Sequence, residues 1–325
     1  MAHFLDFPSS IMDEFGLIHK YFSPLARDFA GSLNLTDDAA LIDVPDGHQL
    51  VVTKDAICEG IHFFEGEDAA LIAKKLLRTN LSDLAAKGAT PHCYFLAGML
   101  PKGTNEEWVA RFAAGLDEDQ KTYGIQLAGG DTTSTKHGLG LSLTAIGTVP
   151  KGAALLRNGA KIGDDIYVSG TIGDGALGLL SLQKKIENDA YLKQRYHLPE
   201  PQLDLGLKLR GLASSCMDIS DGLVQDMGHI CRASNVGAIL QHGFVPLSES
   251  AARCVKDDAT LWEVVLTGGD DYELLFTASK EKSSTLSALP VTKIGEVVEE
   301  KNVRVLDENG EEVTLKQQGF RHFGQ

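Results

Sequence analysis

Carboxylates set in turns of small residues are the feature of this chain most able to do chemistry. One such stretch, Cys216-Met217-Asp218-Ile219-Ser220-Asp221-Gly222-Leu223, lies where a short apolar run ends and a helical pattern begins. Ser220 suits an N-cap, and Asp221 suits the first helical turn, where the helix dipole stabilises a carboxylate. A second reading also accounts for Asp218. Two carboxylates three residues apart around a tight turn can face one point, and hard oxygen ligands so placed suit Mg²⁺. The same grammar returns at Thr36-Asp37-Asp38-Ala39-Ala40, Leu81-Ser82-Asp83-Leu84, Gly129-Gly130-Asp131-Thr132-Thr133 and Gly268-Gly269-Asp270-Asp271-Tyr272. Turn-forming chemistry explains any one of these. The set, mostly at the ends of apolar runs, reads better as converging ligands. With no Cys or His cluster, the donors favour Mg²⁺ over zinc or a transition metal.

The elements that must position these groups alternate in type. Apolar spacing through Ile11, Phe15, Ile18, Phe22 and Leu25 predicts an N-terminal helix and an irregular continuation over residues 10–30. A strand through Ala39–Val44, an Asp46-Gly47 hairpin turn and a returning strand at Leu50–Thr53 follow. Ala69–Lys87 reads as a helix closed by Gly88. Asn80 and Asp83 share a face of it, either bordering a cleft or with Asp83 in an exposed pair with Lys87. Strands are expected at His92–Leu100, at Ile125–Ala128 running into the Gly129–Thr133 turn, and at Leu139–Val149, with a helix at Glu106–Tyr123. After Pro150, Gly152 and Gly159 come a strand at Asp165–Ser169, a glycine-rich loop and a helix from Ala176. That order makes a possible phosphate nest, and Mg²⁺ beside an anion nest suggests phosphoryl transfer. Residues 186–200 read as a polar surface crossover. A helix over Leu203–Ser214, a helix to about Ala233, strands at Gly237–Gln241 and Leu274–Phe276, and a hairpin at Asn309-Gly310 complete the chain. The spacing is neither G-x-G-x-x-G nor a Walker pattern. This alternation predicts mixed α/β layers.

At 325 residues two domains are expected, divided near 149/150. The composition, 43% apolar and 23% charged, excludes the disorder signature. A net charge of −15 without a Lys/Arg block argues against nucleic acid. It does not argue against a phosphate substrate, because carboxylates that hold divalent cations present those cations to it. Cys58, Cys93, Cys216, Cys231 and Cys254 are odd in number and lack CxxC spacing, so they read as reduced, packed thiols. No signal-peptide pattern or membrane-length run is seen, so the expectation is a cytoplasmic chain with no membrane partner.

Motifs along nearly the whole length add what spacing cannot. TDDAALI, TKDAICEGIHF, TNLSDLAAKGATP, LAGGDTT, LRNGAKIGDDIYVSGTIGDGALGL, RYHLPEP, MDISDGL, LTGGDDYELLF and GFRHF occur in this order. The chain thereby resembles the thiamine-monophosphate kinases, in the superfamily of aminoimidazole-ribonucleotide synthetase and selenophosphate synthetase. The resemblance implies a two-domain α/β fold. Residues 1–149 would form an ATP- and Mg²⁺-binding domain with a mixed sheet that pairs into a homodimer. Residues 150–325 would form an α/β domain completing the active site. It implies transfer of the γ-phosphoryl of ATP to thiamine monophosphate, assisted by several Mg²⁺ ions and needing no general base. It would place Asp37, Thr53, Lys54 (through its backbone), Asp55, Asp83, Asp131, Asp218 and Asp221 at the metal ions. Gly130, Asp131, Arg157 and Ser220 would contact ATP, and His62, Asp270 and Phe320 the thiamine moiety. Alternatives are another ATP-dependent member of the superfamily or a non-catalytic metal-binding scaffold. Three positions depart from the family pattern. Thr36 stands where glycine is usual, Lys54 where Thr is usual, and Asp270 where glutamate is usual.

Overall fold

The computed structural model describes residues 14–317, 319 and 320; Ile11, Gln318 and the Arg321–Phe323 end of the GFRHF motif lie outside them. The chain divides into two compact units. The first comprises the described residues up to Asp43 with Lys54–Leu77 and His92–Ala145. The second comprises Val44–Thr53, Arg78–Pro91 and the described residues from Ile146 onward.

The N-terminal segment is not one helix. A turn of α-helix at Glu14–Leu17 (α1) passes into a π-turn at Ile18–Phe22, then α-helix again at Ser23–Ala26 (α2) and a 3₁₀ segment at Ala30–Leu35. Pro24 has no N–H for an α-type bond, which is where a uniform ladder must fail. The expected strand at Ala39–Val44 is likewise absent, and with it the hairpin. Leu41 gives its N–H to the Gly31 carbonyl at 2.8 Å instead of to a strand partner.

Four strands form the first sheet: β1 (His48–Cys58), β2 (Thr90–Pro101), β3 (Gln126–Thr135) and β4 (Gly140–Pro150), in the order β1-β4-β2-β3. Two long helices belong to this half of the sequence, α3 (Ala69–Ala86) and α4 (Glu106–Tyr123). The α4 helix begins where the Asn105 side chain accepts the Trp108 N–H at 2.8 Å and ends at Gly124, whose φ of 66° suits a C′ glycine. Along α3, Leu76, Leu77, Leu81 and Leu84 are fully buried, and so are Asn80 and Ser82. Polar side chains inside a buried helix need internal partners. Gly129–Thr133 is not a turn but part of β3. β2 and β3 run parallel, with Tyr94 opposite Leu127 and Phe95 opposite Gly129, so Ala128 is an extra residue in β3. A Cβ on Gly130 would lie 2.0 Å from the Leu96 carbonyl oxygen, so the glycine marks a close approach of two strands.

The second sheet has six strands: β5 (Asp165–Ser169), β6 (Ser215–Asp218), β7 (Gly237–Gln241), β8 (Leu274–Ala278), β9 (Val291–Val298) and β10 (Val303–Leu306). Their order is β10-β7-β9-β5-β8-β6. β10 and β7 are parallel and the other neighbours antiparallel, so the sheet is mixed. The expected strands at 165–169 and 237–241 match β5 and β7. The helices here are α5 (Asp174–Leu182), α6 (Ala190–His197), α7 (Leu203–Leu209), α8 (Leu223–Ser234), α9 (Glu249–Asp257) and α10 (Leu261–Thr267). Ile166, Val168, Leu177, Leu223, Met227, Leu266 and Leu275 pack within its main core.

The supposed crossover at 186–200 contains α6. The Asp189 carboxylate caps it by accepting the Leu192 N–H at 3.0 Å, and Leu192 and Tyr196, four apart, are buried. α7 stops at Leu209, short of the expected Ser214. Cys93, Cys216 and Cys231 are buried, and burial pushes their thiols up to about 11, 12 and 11. Cys58 is exposed, against the expectation of packing.

Candidate active site

Six sequence-designated residues meet the first unit, and four of them share one cavity. Asp37, Lys54, Gly130 and Asp131 line a space of about 370 Å³, together with Asp38, Phe22, Phe95, Ser142 and Thr144. Asp37 and Asp38 arrive there on strained backbone. Leu33, Asn34 and Leu35 have φ of 50°, 55° and 56°, a left-handed run that costs about 1–2 kcal/mol per non-glycine residue. Local bonds offset it. The Asn34 N–H donates to Ser32 Oγ at 3.2 Å, and Ser32 Oγ donates to the Ala26 carbonyl at 2.9 Å. Thr36 donates both its N–H, at 3.2 Å, and its hydroxyl, at 2.7 Å, to the Leu33 carbonyl. Thr36 itself has φ −108°, so threonine at this position of the loop carries no left-handed strain.

Lys54 directs its ammonium at Thr144 Oγ1, 3.3 Å away, and is the cation among the described residues lining the cavity. An ammonium has no lone pair for a metal, so only its backbone remains as a donor. Asp55 follows it in β1, its carbonyl accepting Ser142 Oγ at 2.9 Å. His62 sits in the turn after β1, where its Nδ1 accepts the Cys58 N–H at 3.1 Å. With Nδ1 accepting, the tautomer this contact selects carries its proton on Nε2.

In the second unit the antiparallel pairing of β6 and β8 sets Asp218 opposite Leu274. The loop leaving β6 therefore lies against the loop entering β8. The Asp270 N–H donates to the Ser220 carbonyl at 3.0 Å, the Tyr272 N–H to the Ile219 carbonyl at 2.8 Å, and the Ile219 N–H to the Glu273 carbonyl at 2.8 Å. Thr53 donates its hydroxyl to Asp83 Oδ2, and Ser82 Oγ donates to Asp218 Oδ2 at 2.7 Å. Asp83 is thus not half of an exposed pair with Lys87. It belongs to a partly buried polar group with Thr53 and acts electrostatically on Asp218. Burial and then repulsion from Asp83 push the Asp218 carboxyl upward, with the Ser82 hydroxyl opposing. A buried carboxylate whose charge a nearby carboxylate disfavours, with hydroxyl donors beside the two, fits a divalent hard cation.

Asp221 lies among its own partners. Gln225 Nε2 donates to Asp221 Oδ2 at 3.0 Å and to the Phe320 carbonyl at 2.9 Å, and the Phe320 N–H donates to the Asp221 carbonyl at 3.0 Å. Phe320 is thereby held beside Asp221 with its ring half-exposed. A Cβ on Gly319 would fall 2.8 Å from the Asp221 carbonyl oxygen, so this approach requires glycine. Arg157 is exposed, and its charge holds down the protonation of Lys87 and His229, behind the larger effect of burial on both.

Two readings from sequence are corrected here. Ser220 does not cap α8. The helix starts at Leu223 after Gly222, and buried Asp226 reaches back so that its Oδ2 accepts the N–H groups of Ser220, Asp221 and Gly222 at 3.0, 3.0 and 3.2 Å. Burial pushes the Asp226 carboxyl up to about 7, with those N–H groups opposing and the charges of Asp221 and Asp218 reinforcing. Nor is the glycine loop before α5 an open phosphate nest. The buried carboxylate of Asp271 already takes the Gly173 and Gly175 N–H groups, at 2.8 and 3.1 Å.

Sequence reasoning missed Asp226 and His229, and it named Ser82, Lys87 and Tyr272 without giving them a place in the site. Asp226 had a signal, an acid one helical turn after the N-cap residue Gly222, within reach of the N–H groups at the start of the helix. One ligand atom each of Asp221, Asp226 and His229 lie within 4.8 Å of one another. His229 Nδ1 is 3.0 Å from an Arg232 guanidinium nitrogen, and burial and then the Arg232 charge push the ring's pKa down.

Residues 36–149 match the family model for the AIR synthase related protein, N-terminal domain, and 161–308 the model for the C-terminal domain. Thiamine-monophosphate kinase of Escherichia coli strain K12 is 40% identical over 323 residues, 95% of this chain and 98% of that one. The chain belongs to this family. The crystal structure of thiamine-monophosphate kinase from Stenotrophomonas maltophilia K279a is similar at a TM-score of 0.81 and 39% identity, over 93% of this chain and 98% of that one. AaThiL complexed with AMPPCP and TMP is similar at 0.78 and 30% identity, over 98% and 100%.

Proposed function

We propose that this chain transfers the γ-phosphoryl group of ATP to thiamine monophosphate, releasing thiamine diphosphate and ADP. The observation that carries the reading is the buried Asp218 beside Asp83, a charge arrangement that calls for a divalent cation, in a chain similar end to end to thiamine-monophosphate kinases. The substrates follow from those relatives' name and from the AMPPCP and TMP held by AaThiL, read as an ATP analogue and thiamine monophosphate.

The oxygen donors proposed for Mg²⁺ are Asp37, Thr53, the Lys54 backbone, Asp55, Asp83, Asp131, Asp218 and Asp221. Bound there, Mg²⁺ would offset the repulsion between a triphosphate and a phosphate monoester and favour in-line attack. The monoester oxygen is already an anionic nucleophile, so the chain needs to supply no general base. Its residues position and shield. Gly130 and Asp131 offer backbone and carboxylate to ATP, Arg157 a guanidinium to its phosphates, and Ser220 its hydroxyl. His62 offers Nε2–H, Asp270 a carboxylate and Phe320 a ring to the thiamine moiety. The division of labour between residues 1–149 and 150–325 is part of the same proposal.

A homodimer and a cytoplasmic setting are also proposed. The exposed Leu50 and Val52 on β1 support the former, since apolar side chains alternating along one strand suit a covered face. No described helix is long and apolar enough to cross a membrane. The test is a product assay with ATP, Mg²⁺ and thiamine monophosphate. Equimolar thiamine diphosphate and ADP, abolished by EDTA, are expected. ADP formed only with another superfamily substrate, or no Mg²⁺-dependent ADP at all, would overturn the reading.

A further inference from the structure

The loop entering β8 alternates between buried anchors and partly buried side chains. Asp271 is buried and accepts the Gly173 and Gly175 N–H groups. Glu273 is buried, paired with Arg195 at 2.9 Å and taking the Ser169 hydroxyl at 2.5 Å. Between and before these anchors, Asp270 and Tyr272 have φ of 68° and 54°, left-handed values that non-glycine residues hold only when their surroundings enforce them. Their backbone bonds to Ser220 and Ile219 do the enforcing. The result turns two side chains, two residues apart, toward each other. Tyr272 donates its hydroxyl to Asp270 Oδ1 at 3.1 Å.

We propose that Tyr272 is a specificity-determining positioning residue: its hydroxyl fixes the plane of the Asp270 carboxylate that recognises the cationic, amine-bearing rings of thiamine monophosphate. This rests on Asp270 as a substrate contact. Aspartate is one methylene shorter than glutamate, so its reach depends on a fixed rotamer, and the phenol supplies that constraint. Tyr272 acts through Asp270 and takes no part in phosphoryl transfer. Its loss should therefore register in substrate binding and not in turnover.

The test is steady-state kinetics of Tyr272→Phe, Asp270→Asn and the double variant, with melting curves to confirm folding. Tyr272→Phe should raise KM for thiamine monophosphate by about tenfold or more, the worth of one hydrogen bond to a charged group. KM for ATP and kcat should stay within about twofold. Asp270→Asn should raise the same KM at least as much, and adding Tyr272→Phe to it should cost nothing further. An unchanged KM in Tyr272→Phe, additive effects in the double variant, or equal loss toward both substrates would overturn the proposal. An unchanged KM in Asp270→Asn would instead overturn the reading of Asp270 on which it rests.

Discussion

Replacing Asp226 by asparagine should stabilise the metal-free protein at alkaline pH relative to the wild type, and not at acid pH. The carboxylate is 1% exposed, and one oxygen accepts three backbone N–H groups, a load an asparagine carbonyl can also carry. What asparagine removes is a buried charge. Burial raises Asp226 from 3.8 to about 7 in the folded state. A raised carboxyl pKa means the folded state binds the proton more tightly than the unfolded one. Stability is therefore fullest below pH 3.8 and falls as pH rises toward 7. Integrating that difference, the wild type forfeits about 2 kcal/mol by pH 5 and about 4 kcal/mol by pH 8, while the variant forfeits none of it. The new amide N–H₂ costs about 1–3 kcal/mol where it lacks an acceptor, but that cost does not vary with pH. The informative quantity is thus the change in the wild-type-to-variant gap, about 2–3 kcal/mol in the variant's favour between pH 5 and pH 8. Urea unfolding in EDTA at pH 5, 6.5 and 8 measures it, because the other titrating groups are common to both chains. Parallel stability curves would refute the reasoning and make Asp226 a carboxylate fully charged in both states.

Three further outcomes follow from the same geometry. Asp221→Asn removes charge and little volume while leaving an acceptor for Gln225, so turnover should fall by orders of magnitude with an unchanged circular dichroism spectrum; near-normal turnover would reduce Asp221 to a loop residue. Phe320→Ala should weaken thiamine monophosphate binding and spare ATP, since only an exposed ring is lost while the Phe320 backbone keeps its bonds to Asp221 and Gln225; calorimetry showing the reverse would displace Phe320 from the substrate. Gly130→Ala should destabilise the fold by about 1–3 kcal/mol through overpacking, because its methyl would meet the Leu96 carbonyl; an unchanged melting temperature would mean that the strands part without strain.

The fold was legible where one physical signal dominated. Glu106–Tyr123 carried both a side-chain cap and a terminal glycine, and the helix runs over those residues. Periodicity misled where long-range packing or a special residue intervened. Pro24 broke a helix that spacing alone would extend, and Leu41 found a carbonyl at Gly31 in place of a strand. Gly129-Gly130 looked like a turn because glycine usually marks one. Here it marks a bulged strand, and only the neighbouring Leu96 backbone, distant in sequence, explains why.

The site divides along the same line. Aspartates in small-residue turns announce themselves by type; Asp37 and Asp131 line one cavity, and Asp83 acts electrostatically on Asp218. Their supports do not announce themselves. Asp271 looked as good a ligand as Asp270, yet it faces inward and fills the glycine loop that had looked ready for phosphate. One residue's difference decides this, because the left-handed backbone at Asp270 and Tyr272, on either side of Asp271, turns their side chains toward each other while Asp271 faces the Gly173 and Gly175 N–H groups. Backbone direction through residues 270–273 is set by bonds to Ile219 and Ser220, which no local spacing encodes. A pattern of carboxylates can therefore identify the kind of chemistry, while sorting anchors from working groups requires the register of β6 against β8. Substitution makes the distinction visible. Asp271→Asn changes a buried anchor and should alter stability first, whereas Asp270→Asn removes charge from a partly buried group and should alter substrate affinity first.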